Sequence, residues 1–321
     1  SISVRLENGT PEAAAEIVRY VNIEKQYGVR LWSIGNEPNL FDDYTPQQMV
    51  TEWRAIAEAM RAVDPGILLI GPDTSQFTGF DDGNTWAHEF LRVFLQENGD
   101  LIDIVSVHRY PFPSSGTTPA TIADLKADAA TWSAIIDNLR AWTLEYTGRE
   151  LPLAIGEANS HWSSQIGGEA TPDSFYNAIW WADVLGRLIR GGADYVAYFN
   201  MQSSDRLGGH GLLGRYEAHP TYAVYQLYQR FGKTLVRAEA PDDDVTVYAA
   251  LRADGALTVM IVNLTDAAQT RTLDLSDFAF STAEAFVLDA ERRAEPADVP
   301  LTDESQVTLS PQSVTLLIFQ P

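Results

Sequence analysis

Residues Leu31 to Phe41 read LWSIGNEPNLF. A short apolar run stops on Gly35, Asn36, Glu37 and Pro38, and a strand that halts on a carboxylate just before a proline presents that carboxylate at the end of a sheet. A second stretch has the same build. Residues Leu151 to Ser160 read LPLAIGEANS, a buried-strand pattern, a glycine and then Glu157. Taken singly, each glutamate is as easily a solvated loop residue. Taken together, two carboxylates at two strand ends suit general-acid and nucleophilic catalysis at an acetal.

Working outward, strand and helix signals alternate. Thr10-Pro11 and Thr45-Pro46 open helices with a capping residue and a proline in the first turn. Gln48 completes a capping box with Thr45. Strand–helix units begin at residues 29, 67, 102, 153 and 195, and their strands are apolar throughout. That is the pattern of parallel βαβ units buried on both faces. Ser1 to Arg5 alternates like a strand but is only a stub, and Thr10 to about Tyr27 is expected to be one helix. After Gly232 the character changes. Residues 244–251, 257–264, 270–275, 285–288, 306–309 and 314–319 are short strand patterns, several separated by turns such as Ala253-Asp254-Gly255. They are expected to form a small antiparallel β-sandwich. The expected division is 1–232 for the α/β part and 233–321 for the sandwich.

Composition narrows the function. The 321 residues hold 44 acidic against 22 basic side chains, a formal net charge of −22. That balance disfavours nucleic acid and anionic membranes as partners and is compatible with a neutral glycan. There is no cysteine, which excludes disulfides, thiol catalysis and thiolate metal sites. Five scattered histidines show no HxxxH or HExxH spacing, so no metal is expected. No apolar run reaches membrane-spanning length. Neither a signal peptide nor an initiator methionine is present, so the natural N-terminus is expected elsewhere and the compartment stays open.

The Asn36-Glu37-Pro38 triplet after an apolar strand, with Glu157 at a later strand end, resembles the retaining glycoside hydrolases of clan A. That clan uses a (β/α)8 barrel with the acid/base glutamate after strand 4 and the nucleophile after strand 7. The resemblance implies Glu37 as acid/base, Glu157 as nucleophile and Asn36 as a partner of the sugar 2-hydroxyl. His108-Arg109-Tyr110 is similar to the His-x-Tyr on strand 6 of several clan A families. There the tyrosine hydroxyl bonds the nucleophile and the histidine touches the sugar. The C-terminal strands are similar to the sandwich of the β-xylosidase, α-arabinofuranosidase and β-glucuronidase families. The implied activity is double-displacement hydrolysis of an oligosaccharide, polysaccharide or glycoside, with no cofactor. His161-Trp162 and Phe199 are candidates for sugar stacking or for plain apolar burial. Gln202 is a candidate hydroxyl partner, and Asp205 to His210 a candidate subsite loop. Asp73, a third carboxylate at a strand end, is expected to serve as a cap or turn residue. A carbohydrate-binding protein on a catalytically impaired barrel is the alternative, and a structural interaction module a third class.

The resemblance also exposes a gap. Glu37 should follow strand 4, yet only about 28 residues precede its strand. The stub Ser1 to Arg5 would be the end of strand 3, so the fold class expected is an incomplete (β/α)8 TIM-type barrel, about strands 3–8, followed by the sandwich. No residue matches the arginine that several clan A families place after strand 2. An open parallel sheet has bare edges, so a second chain is expected to cover it. That chain would be a second copy in a homodimer, or a separately encoded or cleaved N-terminal piece.

Overall fold

The computed structural model describes residues 1–83, 85–112, 119–162, 168–202, 210–275, 278–298 and 305–321. Contacts group them into two compact units that interleave along the chain.

The first unit takes in Ser1–Pro111, Ser133–Ala158 and Gly191–Tyr198. Its centre is a six-stranded sheet in simple sequence order. The strands are β1 (Ile2–Val4), β2 (Leu31–Ile34), β3 (Leu68–Ser75), β4 (Ile104–Arg109), β5 (Leu153–Ala158) and β6 (Tyr195–Tyr198). Every neighbouring pair is parallel. This is a half-barrel of six parallel strands, and its parallel βαβ units are those the alternation of apolar runs and helices predicts. Trp32, Ile34, Leu69, Val105, Val107, Leu153 and Ile155 are buried in it.

Helices α1 (Pro11–Val18), α2 (Pro46–Val63) and α3 (Thr85–Asn98) follow β1, β2 and β3. The second half of α4 (Ile122–Thr147) belongs to the same unit. Thr45 caps α2 as its sequence predicts: its hydroxyl accepts from the Gln48 N–H at 3.2 Å, and the Gln48 side chain accepts from the Thr45 N–H at 3.0 Å. On the buried face of α2, Trp53 meets Phe94 of α3 edge to face at 4.9 Å. The helix after β1 departs from expectation, because regular α-structure ends at Val18 and a wider π-turn runs over Arg19–Glu24. Asn22 in that turn binds both the N–H and the C=O of Val29, each at 2.8 Å, and so ties the turn to the approach of β2.

The second unit takes in Phe112–Trp132, Asn159–Arg190 and Phe199–Pro321. Its six-stranded antiparallel sheet has the order β12-β11-β14-β9-β8-β7. In chain order these are β7 (Thr234–Val236), β8 (Val245–Leu251), β9 (Leu257–Asn263), β11 (Thr282–Leu288), β12 (Arg293–Pro296) and β14 (Ser313–Gln320). A two-stranded sheet, β10 (Gln269–Thr272) with β13 (Gln306–Leu309), supplies the second layer. Val259, Ile261, Val307, Leu309, Leu317 and Phe319 fill the sandwich core.

Sequence patterning missed β7 and β12 and began β11 three residues late. All seven residues of β11 pair with β14, so cross-strand pairing recruits Thr282, Ala283 and Glu284, which carry no strand signal of their own. Helices α5 (Phe175–Arg190) and α6 (Pro220–Tyr228) pack on this sheet. The fully buried Asp183 of α5 takes Arg187 Nε at 2.8 Å and the hydroxyls of Thr246 and Tyr248. A Cβ at Gly186 would stand 2.3 Å from the Tyr248 ring, so only glycine lets helix and strand approach there. Among the described residues no helix is long and apolar enough to cross a membrane.

Candidate active site

The carboxyl ends of β2, β3, β4 and β5 converge on one polar cluster within the first unit. Glu37 follows β2 in the left-handed region, with φ +50°, and opens a short turn over Pro38–Leu40. Two contacts hold that turn. The Glu37 N–H donates to Asp73 O at 3.0 Å. Asn39 takes the Ser75 N–H at 2.9 Å and gives its amide to Ser75 O at 3.1 Å, so it pairs with the end of β3 as a strand would.

Glu157 stands on β5. Tyr110, 5% exposed, donates its hydroxyl to Glu157 Oε2 at 2.7 Å. Gln76 fixes the segment carrying that tyrosine: its N–H donates to His108 O at 2.9 Å, and its side-chain oxygen accepts from the Tyr110 N–H at 3.2 Å. Burial first, and then the charge of Glu157, push the Tyr110 phenol well above its ordinary value. It therefore stays a donor at any working pH.

His108 lies between the carboxylates, its side chain 3% exposed. Nδ1 is 3.1 Å from Glu37 Oε1 and 3.8 Å from Glu157 Oε2, and Nε2 is 3.6 Å from Asp73 Oδ1. At 3.6 Å the last is an ion pair rather than a hydrogen bond. Burial alone would push the imidazole down. Asp73 and Glu37 outweigh it and raise the group from 6.5 to about 10. The carboxylates around it thus favour the charged form of the ring.

Glu37, His108 and Glu157 each bring one ligand-type atom within 4.8 Å of the others. A cation bound there would need the lone pair of a neutral His108.

The structure brings Glu37, Glu157, His108 and Tyr110 together, with Asp73 beside them. Asp73 was expected to cap or turn. It is instead buried, 7% exposed, with its carboxylate on His108. No sequence pattern reveals this, because it depends on the β3–β4 register. Asn36 is exposed beside Glu37 and lines a cavity of about 330 Å³ with Arg5, Leu6 and Phe41.

The other candidates belong to the second unit. Trp162 is 49% exposed and lies tilted on His161, centroids 5.8 Å apart. Phe199 meets His210 edge to face at 5.8 Å, and Asn159 donates its amide to Phe199 O at 2.6 Å. Gln202 is exposed and forms a bridge with Leu213. Of the candidate loop Asp205 to His210, only His210 falls among the described residues.

A parallel half-barrel with an antiparallel C-terminal domain is the architecture found, and the family match to residues 15–265 makes the chain a glycoside hydrolase of clan A. More narrowly, the chain belongs to glycosyl hydrolases family 39, whose family pattern matches residues 15–265. Residues 242–317 also match the C-terminal immunoglobulin-like domain of D-apionate lactonase.

Among curated relatives, a β-xylosidase of Geobacillus stearothermophilus is 25% identical over 264 residues, 75% of this chain and 49% of its own length. An intracellular exo-α-(1→5)-L-arabinofuranosidase of Streptomyces lividans is 30% identical over 128 residues, 39% of this chain and 18% of its own. The chain thus spans about half of the first relative and less than a fifth of the second. Among solved structures, the GH51 arabinofuranosidase of Xanthomonas axonopodis pv. citri superposes with a TM-score of 0.75 at 16% identity, over 99% of this chain and 75% of that one. That likeness is one of fold.

Proposed function

We propose that this chain hydrolyses O-glycosidic bonds with retention of configuration, by double displacement. Glu157 attacks the anomeric carbon while Glu37 gives its proton to the leaving oxygen. Glu37 then takes a proton from water as the water displaces Glu157. The observation that carries this is the pairing: one oxygen of Glu37 and one of Glu157 lie within 4.8 Å of each other, so both carboxylates face the same site, and retention is the outcome expected when two such groups flank the bond closely. The Tyr110 hydroxyl on Glu157 supports the nucleophile role, since it holds an oxygen of the ionised carboxylate in one place. Asn36 is proposed as the partner of the sugar 2-hydroxyl. Trp162, Phe199 and Gln202 are proposed substrate contacts. The catalytic part is taken as 1–232 and the sandwich as 233–321.

The substrate is proposed to be an oligosaccharide, polysaccharide or glycoside. A covering polypeptide, most simply a second copy of the chain, belongs to the same proposal. The helix and turn after β1 expose Ile17, Tyr20, Ile23 and Tyr27, and such an apolar patch invites a partner. Light scattering at decreasing concentration checks this, and a fully active monomer refutes it.

The test of the chemistry uses an activated aryl glycoside. Glu157→Gln should abolish turnover and keep oligosaccharide binding. Glu37→Ala should be rescued by azide, giving a glycosyl azide of retained configuration. An inverted product overturns the mechanism, and glycan binding without turnover in the unmutated protein favours the impaired-barrel alternative.

A further inference from the structure

His108 is flanked by two places where the sheet register skips a residue. Between β3 and β4, Pro72 pairs with Ser106 and Thr74 with Val107, so Asp73 is the extra residue. Between β4 and β5, Val107 pairs with Ile155 and His108 with Glu157, so Gly156 is the extra residue. Bulges re-aim side chains and are common beside active sites. Here the first sends the Asp73 carboxylate towards the His108 ring, and the second sets a residue without a side chain beside both. A Cβ at Gly156 would lie 2.6 Å from Ser106 Oγ, 2.9 Å from Asp73 Oδ1 and 3.1 Å from His108 Nε2. The two register skips and the glycine together make room for an aspartate behind the histidine.

We propose that Asp73 is a positioning residue: its buried carboxylate anchors the His108 ring from behind and so fixes His108 as a donor to the acid/base Glu37. The groups facing the ring are Glu37 after β2, Asp73 on β3, Glu157 on β5 and the Tyr110 hydroxyl on Glu157. With Asp73 at Nε2 and the nucleophile Glu157 beside Glu37 at Nδ1, either neutral tautomer would turn a lone pair onto a negative oxygen. Both nitrogens therefore carry protons. A donor held on Glu37 Oε1 leaves the other oxygen, Oε2, for the proton that goes to the leaving group. Without the Asp73 charge, the neutral tautomers return. In one of them Nδ1 is an acceptor that competes with the substrate for the proton of Glu37.

The catalytic part of this inference rests on the proposed role of Glu37; the Asp73–His108 coupling does not. The experiment follows the imidazole nitrogens by two-bond proton–nitrogen NMR from pH 6 to 10, in the full chain and in Asp73→Asn. The His108 signals are identified by their loss in His108→Gln. Asp73→Asn keeps the side-chain shape and the backbone bond from Glu37, and removes the charge. At pH 8 the unmutated protein should show both His108 nitrogens protonated. In Asp73→Asn the midpoint of the His108 titration should fall by at least about one on the pH scale, and the alkaline limb of kcat/KM should move the same way. A neutral His108 at pH 8 in the unmutated protein overturns the inference whether or not the variant folds. An unchanged titration in a folded Asp73→Asn overturns it as well. A shifted titration with no turnover in either protein supports the coupling and counts against the glycosidase reading.

Discussion

Removing the Tyr110 hydroxyl separates the two halves of the proposed reaction. The bond to Glu157 Oε2 is 2.7 Å long and the tyrosine is 5% exposed, so water cannot readily replace it. A hydrogen bond to a charged group contributes about 1.5–3 kcal/mol. At about 1.4 kcal/mol per tenfold, Tyr110→Phe should change a rate that depends on this bond by roughly 10- to 150-fold. The two steps use the bond differently. In the first, Glu157 loses its charge on bonding to the sugar, so the donor stabilises the starting state more than the transition state. In the second, Glu157 leaves as a carboxylate, and the donor stabilises the charge as it develops. Tyr110→Phe should therefore slow breakdown of the glycosyl-enzyme far more than its formation. With an activated aryl glycoside, stopped-flow release of the phenol should show a burst. The steady-state kcat should fall by the factor above, KM should fall with it, and kcat/KM should change by less than about tenfold. Equal falls in kcat and kcat/KM without a burst, or no change in either, would refute the role given to Tyr110 and with it the assignment of Glu157.

Gly156→Ala should place a methyl group against Ser106, Asp73 and His108. Overpacking of this kind costs about 1–3 kcal/mol, and the displaced His108 should lower kcat further; unchanged melting and unchanged kinetics would refute the crowding seen at that position. The His108 charge also predicts how stability varies with pH. Its folded value is raised from 6.5 to about 10, so its contribution is full below about pH 6.5 and is lost as pH rises through about 10. Each tenfold gain in proton affinity on folding corresponds to about 1.36 kcal/mol, which sets a ceiling on the order of 4–5 kcal/mol. Urea midpoints should fall over that window in the unmutated protein and much less in His108→Phe. Parallel curves would show that His108 is not the group responsible.

Much of this protein is legible in its sequence because the relevant signals are local. Apolar strands cut off by Gly35 and Pro38, or by Gly156, mark where Glu37 and Glu157 emerge. Thr45 and Gln48 announce the start of α2 by a capping geometry complete within four residues. The alternation of strand and helix signals, ending near Gly232, separates the parallel half-barrel from the antiparallel strands. What the sequence does not carry is set by partners distant along the chain. Thr282 to Glu284 become strand only because β14 lies beside them. The short edge strands β7 and β12 exist only through pairing with β8 and β11. Asp73 faces inward because the β3–β4 register skips it, and register is a property of two strands rather than one. The charge of His108 is likewise a tertiary property. Burial opposes it, three carboxylates from three different strand ends favour it, and their convergence exists only once the sheet has formed.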